Sequence, residues 1–135
     1  MLDTNVVLAG QRSRHAASPN AEIVDRWEAG EFMLLCTPDI MLEYAGKLAV
    51  SDVPRETAAN FLAAVALGCG WVRIVFFHLE HYPPDADDVA FLLCALNGEA
   101  THLVTYDEHL LGLQPHYSLT ICQPLRFLAD LRSSQ

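Results

Sequence analysis

Lysine is nearly absent from this chain, and positive charge is scarce altogether. Lys47 is the only lysine among eight Lys and Arg residues, which stand against 17 Asp and Glu residues, so the formal net charge of the 135-residue chain is −9. The overall charge is therefore not that of a typical nucleic-acid-binding domain. An acidic surface suits a basic protein partner, and a bound metal ion would offset part of the negative charge.

Long apolar runs are also missing. The longest run without a charged or strongly polar side chain covers residues 61–72, which is shorter than the roughly 20 residues needed to span a bilayer. Asp3 interrupts the start of the chain before the apolar core of a signal peptide could form. We therefore expect a soluble, cytoplasmic protein that makes no membrane contact.

No Cys-x-x-Cys pair occurs, which argues against zinc and predicts buried free thiols at Cys36, Cys69, Cys94 and Cys122.

Apolar runs alternate with helical patterns from end to end, and 52% of the residues are hydrophobic. The patterns predict strands at residues 2–8, 32–36, 71–77, 102–105 and 119–122. They predict helices at residues 19–30, 38–49, 88–97 and 108–111, another from Pro54 to Gly68 or Gly70, and a last one from Pro124. Strands separated by helices imply right-handed crossovers and a central, mainly parallel sheet covered on both faces. We expect one α/β domain spanning residues 1–135.

Four acidic residues stand at the starts or ends of predicted elements: Asp3, Glu43, Asp88 and Asp107. Ligands of open α/β sheets bind beyond the carboxyl ends of the strands. Carboxylates gathered there repel one another unless a cation lies between them. A site of oxygen ligands without Cys or His suits Mg²⁺ or Mn²⁺, and a divalent ion in such a cluster indicates hydrolysis at phosphorus.

Each of these carboxylates also has an ordinary structural interpretation. Glu43 would pair with Lys47 four residues later on a helix surface. Asp88 and Asp107 stand where a helix cap is expected, and Asp3 would be a turn residue after a short strand. The acidic stretch 85–88 leaves the register of the third carboxylate open, so Asp87 is the alternative to Asp88.

Histidines and arginines give weaker signals. Arg12, Arg14 and His15 fall in the predicted loop after the first strand. Two interpretations are open for them: contact with a phosphate group, or an ordinary solvated loop. His78 and His81 flank Glu80, but they lie in a predicted loop and lack the spacing of two ligands on one helix. We assign them to the surface.

The motifs around the four carboxylates resemble those of PIN domains. The opening stretch 2–10, the Thr-Pro-Asp-Ile before the helix of Glu43, the Asp-x-x-Phe-Leu that begins at Asp88, and the Val-Thr-Tyr-Asp that ends at Asp107 occur in the family's order. The resemblance covers nearly the whole chain. It is closest to the branch described as toxin components of toxin–antitoxin systems, similar to VapC.

This resemblance implies a three-layer α/β/α sandwich and a metal-dependent endoribonuclease. Mg²⁺ or Mn²⁺ would be held at Asp3, Glu43, Asp88 and Asp107, with Glu43 positioning the attacking water. Asn5 matches the position that supports the first Asp by hydrogen bonding, and Thr105 matches a small hydroxyl residue near the last Asp. The implied partners are an RNA substrate, a cognate antitoxin and a second copy in a homodimer.

Two departures from the family and two rival functions accompany this interpretation. The open register at Asp87 and Asp88 is the first departure, and Asp88 is chosen because the Asp-x-x-Phe-Leu that begins there fits the family's spacing. Only two residues precede Asp3, whereas the family has a fuller first strand, so we expect a clipped strand or an upstream start. A PIN-like scaffold with an unused cluster is the rival that is not an enzyme. A phosphatase of the haloacid-dehalogenase type needs Asp-x-Asp after the first strand, and Asn5 in the second position argues against it.

Overall fold

The structure is a computed structural model that describes residues 1–13 and 17–134. Its helices are α1 (Thr4–Arg12), α2 (Pro19–Glu28), α3 (Pro38–Ala49), α4 (Arg55–Gly68), α5 (Val89–Asn97), α6 (Glu108–Leu111) and α7 (Pro124–Ser133). Its strands are β1 (Leu35–Cys36), β2 (Gly70–Trp71), β3 (His102–Val104) and β4 (Thr120–Cys122), and short 3₁₀ turns cover Ala86–Asp88 and Gln114–His116. Within the described ranges, no helix combines the length and the apolar character needed to cross a membrane.

Local capping chemistry sets where several helices begin. The Ser18 side chain accepts a hydrogen bond from the Ala21 backbone N–H, and Pro19 occupies the first position of α2. Thr37 caps α3 in the same way by accepting from the Ile40 N–H. Such caps satisfy N–H groups that have no partner within the helix. The predicted starts of these helices are confirmed, as are those of α6 and α7.

The strands pair in parallel, as the alternation of strands and helices predicts. β1 pairs with β2, and β3 pairs with β4. The start of the chain joins β3 through a parallel bridge between Leu2 and Val104, in which the Asp3 N–H donates to the Val104 carbonyl at 2.9 Å. In the described residues, strand pairing forms two separate two-stranded ladders and this bridge. The predicted α/β class is confirmed, whereas the three-layer arrangement and the single domain over residues 1–135 stay predictions.

The predicted strand at residues 2–8 is wrong beyond its first residues, because the chain turns into helix α1 at Thr4. The Asp3 carboxylate accepts a hydrogen bond from the Thr4 N–H at 2.7 Å. Val6, Val7 and Leu8 favour a strand by their branched or apolar side chains, but all three are buried. The polar face of α1 is narrow, with Asn5 and Arg12 its exposed residues, so the apolar run at residues 6–8 predicts a strand in a single sequence.

The predicted strand at residues 71–77 is also wrong, since β2 ends at Trp71. The following residues carry no regular structure, and Val75 and Phe77 are 74% and 71% exposed. The Asn97 side chain accepts hydrogen bonds from the Val75 and Phe76 N–H groups and donates one to the Phe76 carbonyl. Asn97 thus takes the place of a neighbouring strand along this segment.

Core contacts hold in place the short extended segment at the start of the chain, which pairs with β3 at Leu2 and is called here the first strand segment. The buried Tyr44 hydroxyl on α3 donates to the Leu2 carbonyl, one residue before Asp3. Helices α1 and α2 approach closely at Gly10, where a Cβ would lie only 2.8 Å from Cγ2 of Val24. Asp3, the start of α1 and the middle of α3 are therefore fixed relative to one another.

Candidate active site

Asp3 lies at the carboxyl end of the first strand segment, and it is 5% exposed. One carboxylate oxygen accepts from the Thr4 N–H at 2.7 Å, and the other accepts from the Thr105 hydroxyl at 2.7 Å. Burial raises the pKa of Asp3, and the charge of Asp107 raises it further, while the two hydrogen bonds oppose this rise. Asp3 is a buried acid held by two donors, which is more than an ordinary turn residue requires.

Glu43 is connected to Asp3 through Thr4. The Thr4 hydroxyl donates to a Glu43 carboxylate oxygen at 2.9 Å, while the Thr4 backbone N–H donates to Asp3. Burial raises the pKa of Glu43, and the charges of Asp3 and Asp87 add to the rise. The ion pairs of the described residues do not include one between Glu43 and Lys47. Glu43 is therefore linked to Asp3 through Thr4 and does not form an ion pair with Lys47.

Asp88 is 7% exposed, and its Oδ2 atom is buried without a hydrogen-bond partner. It makes no side-chain cap to α5, although it precedes that helix. Burial, a hydrogen-bonding contact with the Asp107 carboxyl and the charges of Asp107 and Asp3 together raise the pKa of Asp88 to about 7, with burial the largest cause. A buried acid without a capping role, beside other acids, has no evident structural purpose.

Asp107 and Thr105 complete the cluster after β3. The completely buried Thr105 hydroxyl donates to Asp3 and accepts from the Asp107 N–H at 2.9 Å. The Asp107 carboxylate also caps α6, because it accepts from the His109 N–H at 2.8 Å. The capping interpretation of Asp107 therefore holds, and it accounts for one of the two carboxylate oxygens.

These contacts bring all four predicted carboxylates to one region of the molecule. Asp3 is linked to Glu43 through Thr4 and to Asp107 through Thr105, and Asp107 lies beside Asp88. In the described part of the chain, no three His, Cys, Asp or Glu side chains are grouped closely enough to hold a metal ion as they stand. The donor set nevertheless fits a hard divalent cation, because it consists of carboxylate oxygens and includes the unpartnered Oδ2 of Asp88.

The other candidates from the sequence lie elsewhere. Asn5 is exposed, and the partners of Asp3 are Thr4 and Thr105, so its supporting role stays a prediction. Asp87 is exposed, whereas Asp88 is buried, which favours Asp88 as the third carboxylate. Arg12 belongs to helix α1 and not to a loop, and its side chain pairs with Asp52 at 2.9 Å.

Arg14 and His15 lie outside the described residues. His78 and His81 are exposed, as predicted. The cysteines are free, as predicted; Cys69 is partly exposed and the other three are buried.

Thr4 is the member of the site that the sequence interpretation missed. Its two hydrogen bonds depend on the first turn of α1, and the sequence predicted a strand there. The signal available was its position directly after Asp3, where an acid preceding a helix serves as an N-cap.

A separate cavity of about 300 Å³ has Met1, Phe32, Met33, His102 and Phe127 in its wall. None of the four carboxylates lines this cavity. The cluster is therefore separate from this cavity. Asp3 follows the Leu2 bridge and Asp107 follows β3, so both lie beyond the carboxyl ends of strand segments, where ligands of open α/β sheets bind.

Comparison with known families now identifies the class of protein. A family model described as PIN domain matches residues 1–109, a range that includes all four carboxylates. The chain belongs to the PIN-domain family, whose members are generally nucleases and usually use divalent metal ions. Neither the curated proteins nor the solved structures include a match to this chain.

We expect Thr105→Val to damage both stability and the cluster. Valine fills the same space but leaves the Asp3 carboxylate and the Asp107 N–H without their shared hydroxyl. The free energy of unfolding should fall by about 1–3 kcal/mol, and divalent-ion affinity by about 10- to 100-fold. Denaturant unfolding and ion titration measure the two effects. Thr105→Ser keeps the hydroxyl and should retain most of both, and a silent Thr105→Val would show that this hydroxyl positions nothing.

Proposed function

We propose that this PIN domain is a metal-dependent endoribonuclease that hydrolyses RNA phosphodiester bonds, and that it is the toxin of a toxin–antitoxin pair. The observation that carries the enzymatic part is Asp88. Its carboxyl is buried, its pKa is raised to about 7, and its Oδ2 lacks a partner in the midst of other acids. This arrangement destabilises the folded chain, and folding alone does not require it, so we take it as evidence for a functional site.

The roles that we propose follow the contacts. Asp3, Asp88 and Asp107 would hold Mg²⁺ or Mn²⁺ with their carboxylate oxygens, and Glu43 would contribute the fourth carboxylate and orient the attacking water. A bound divalent ion supplies charge neutralisation at phosphorus and lowers the pKa of water. Thr105 holds Asp3 and the Asp107 backbone in register, and Thr4 sets the separation of Asp3 from Glu43.

Divalent ions should stabilise the protein, because they relieve repulsion among the four carboxylates in the folded chain only. We expect millimolar Mg²⁺ or Mn²⁺ to raise the melting temperature, by about 3–5 °C for each kcal/mol of binding linkage at this chain length. Asp3→Asn should respond much less. An equal response of the wild type and Asp3→Asn would place the ions elsewhere, and no shift in either would argue against a metal site.

Substrate choice separates the enzyme from its rivals. The proposed nuclease cuts RNA in Mg²⁺ or Mn²⁺ and leaves p-nitrophenyl phosphate intact. A phosphatase would hydrolyse p-nitrophenyl phosphate, and a scaffold with an unused cluster would act on neither. Cleavage products of a mixed RNA pool on a denaturing gel, with a chelator as the control, give the answer.

The partners are proposals that rest on charge and on the family. The net charge of −9 and the acidic cluster suit a segment of an antitoxin that carries Arg or Lys side chains. The exposed Val75 and Phe77 are the kind of side chains that a homodimer would cover. Co-purification with the product of the neighbouring gene and light scattering of the purified chain test the two partners. A monomer that captures no such product would contradict both.

A further inference from the structure

Tyr44 is a completely buried tyrosine to which the proposed function gives no role. It follows Glu43 directly on α3, and its hydroxyl donates to the carbonyl of Leu2, the residue before Asp3. Burial raises the pKa of Tyr44 well above its ordinary value, so the hydroxyl keeps its proton and remains a donor at neutral pH. The side chain therefore links α3 beside Glu43 to the chain beside Asp3.

The Tyr44 hydroxyl supplies the donor that a neighbouring strand would otherwise provide. The Val104 N–H donates to the Met1 carbonyl and the Asp3 N–H donates to the Val104 carbonyl, each at 2.9 Å, so these groups face β3. Backbone groups alternate in direction along an extended segment, so the Leu2 carbonyl faces the opposite side. Among the described residues no strand pairs with that side. Tyr44 thus holds the edge of the segment that β3 does not hold.

A second hydrogen bond joins the same two elements on the other side of Asp3. The Thr4 hydroxyl donates to the Glu43 carboxylate at 2.9 Å. Residues 2 and 4 of the chain start are thus bonded to residues 44 and 43 of α3, and Asp3 lies between the two bonds. We call this pair of hydrogen bonds the Asp3 bracket. Two bonds fix both the separation and the relative orientation of the two elements, whereas a single bond would leave them free to rotate about it.

Aromatic neighbours from two further helices fix the ring of Tyr44. The centroid of the Phe61 ring on α4 lies 6.4 Å from that of Tyr44, and the centroid of the Phe91 ring on α5 lies 6.5 Å from it. Phe91 follows Asp88 by three residues, so the same ring also packs against the helix that begins after the third acid. The hydroxyl can therefore be removed while the packing of the ring is kept.

We propose that Tyr44 is a positioning residue of the active site, whose hydroxyl acts with Thr4 to set the separation and orientation of Asp3 and Glu43 around a divalent ion. The inference rests on the proposed function. A displacement of about 1 Å in such a site can cost about 100-fold in rate. A role in stability alone makes a different forecast, because loss of the hydroxyl would then weaken the fold and leave the ion affinity of the folded protein unchanged.

Tyr44→Phe removes the hydroxyl and keeps the ring. Mn²⁺ affinity is measured by calorimetric titration without RNA, at a temperature at which every variant is folded. We expect the affinity of Tyr44→Phe to fall about 10-fold, the lower end for groups that orient metal ligands, and kcat for RNA to fall with little change in KM. Val65→Ala is the matched control, since it truncates a completely buried side chain on α4, which carries none of the four acids. It should lose stability and keep the wild-type affinity.

Thr4→Val breaks the other half of the Asp3 bracket. If both bonds are needed to hold one geometry, the loss of either frees the two acids. The double variant Thr4→Val/Tyr44→Phe should then lose clearly less Mn²⁺ affinity than the product of the two single losses. Single losses that multiply would show that the two hydroxyls act independently, which contradicts the bracket.

Amide hydrogen exchange in EDTA gives a measurement that needs neither metal nor RNA. Tyr44→Phe should speed exchange of the Asp3 N–H more than exchange of the amides within α5, because the opening is local. Val65→Ala should change both groups of amides alike. Uniform acceleration in Tyr44→Phe would assign the hydroxyl to global stability and overturn the proposal.

The failures of this proposal and of the nuclease assignment give different results. Wild-type protein that binds Mn²⁺ but cuts no RNA would refute the nuclease, and the Mn²⁺ affinities would still decide the role of Tyr44. Cleavage with the same kcat in the wild type and Tyr44→Phe, together with equal Mn²⁺ affinity, would refute the positioning role alone. An equal fall in affinity in Tyr44→Phe and Val65→Ala, or no Mn²⁺ binding by the wild type, would also overturn it.

Discussion

Asp88→Asn should abolish RNA cleavage, whereas Asp87→Asn should leave it nearly intact. Asparagine has almost the size of aspartate but cannot carry the charge that attracts a divalent ion. Mutation of a group that only orients a metal ligand typically costs up to about 100-fold in activity. Because we assign Asp88 as a ligand itself, we expect Asp88→Asn to lower the cleavage rate by more than about 100-fold. Asp88 is buried among other acids and makes no helix cap, and Asp87 is exposed.

The helix-cap interpretation makes the opposite forecast for Asp88. Asparagine caps a helix about as well as aspartate does, so a capping residue would tolerate the change in both stability and activity. Initial rates on one RNA, measured side by side for the wild type and both variants, decide between the two. If Asp87→Asn is the inactive variant, the register of the third carboxylate is the alternative one.

Asp88→Asn should also stabilise the metal-free protein, and the gain should grow with pH. The pKa of Asp88 is raised from 3.8 to about 7 in the folded chain. Below about pH 4 the group is protonated in both states. Between about pH 4 and 7 only the folded chain keeps the proton, so the wild type loses stability as pH rises. Asparagine resembles the protonated acid and does not titrate.

The expected gain at pH 8 is about 1–2 kcal/mol, which discounts the full shift for partial solvation, and it should vanish near pH 4. The Met1 ammonium has its pKa lowered by burial to about 6, so it acts in the opposite direction between pH 6 and 8. That contribution is the same in both proteins and cancels in the difference. Denaturant unfolding in EDTA at several pH values measures the difference in free energy of unfolding between Asp88→Asn and the wild type. A difference that stays constant or shrinks as the pH rises would contradict the assigned pKa.

The sequence predicted those elements whose ends are set by local chemistry. Helices α2 and α3 start where Ser18 and Thr37 cap a helix with proline at its first position. These interactions involve residues three positions apart, so they are visible in a single sequence. The parallel pairing followed from the alternation of strands and helices.

The failures came where distant contacts outweigh local preference. Val6 and Val7 prefer strands by their branching, but they lie in α1, which is buried against the rest of the core. The segment after Trp71 has a strand-like composition, yet the side chain of Asn97, some 21 residues away, satisfies its backbone. Neither the burial nor that contact is encoded in the neighbouring residues.

The sequence predicted the acidic residues of the candidate site but not the hydrogen bonds that connect them. Order along the chain and resemblance to PIN domains identified Asp3, Glu43, Asp88 and Asp107 as candidates. The hydroxyl links through Thr4 and Thr105 join residues 39 and 102 positions apart. Such links depend on where helix α1 begins and on which strands are neighbours, so they became visible only in the structure.

The most direct test of the central claim is cleavage of a mixed RNA pool by the wild type and by Asp3→Asn, with Mg²⁺ or Mn²⁺ present and with the ions chelated. Asp3 is the most firmly held of the four acids, since two donors bind its carboxylate. We predict that the wild type cuts the pool only when divalent ions are present, and that Asp3→Asn, folded as judged by circular dichroism, does not cut it. Equal cleavage by the two proteins, or cleavage by the wild type that is unaffected by chelation, would contradict the assignment of this cluster as the metal-dependent active site.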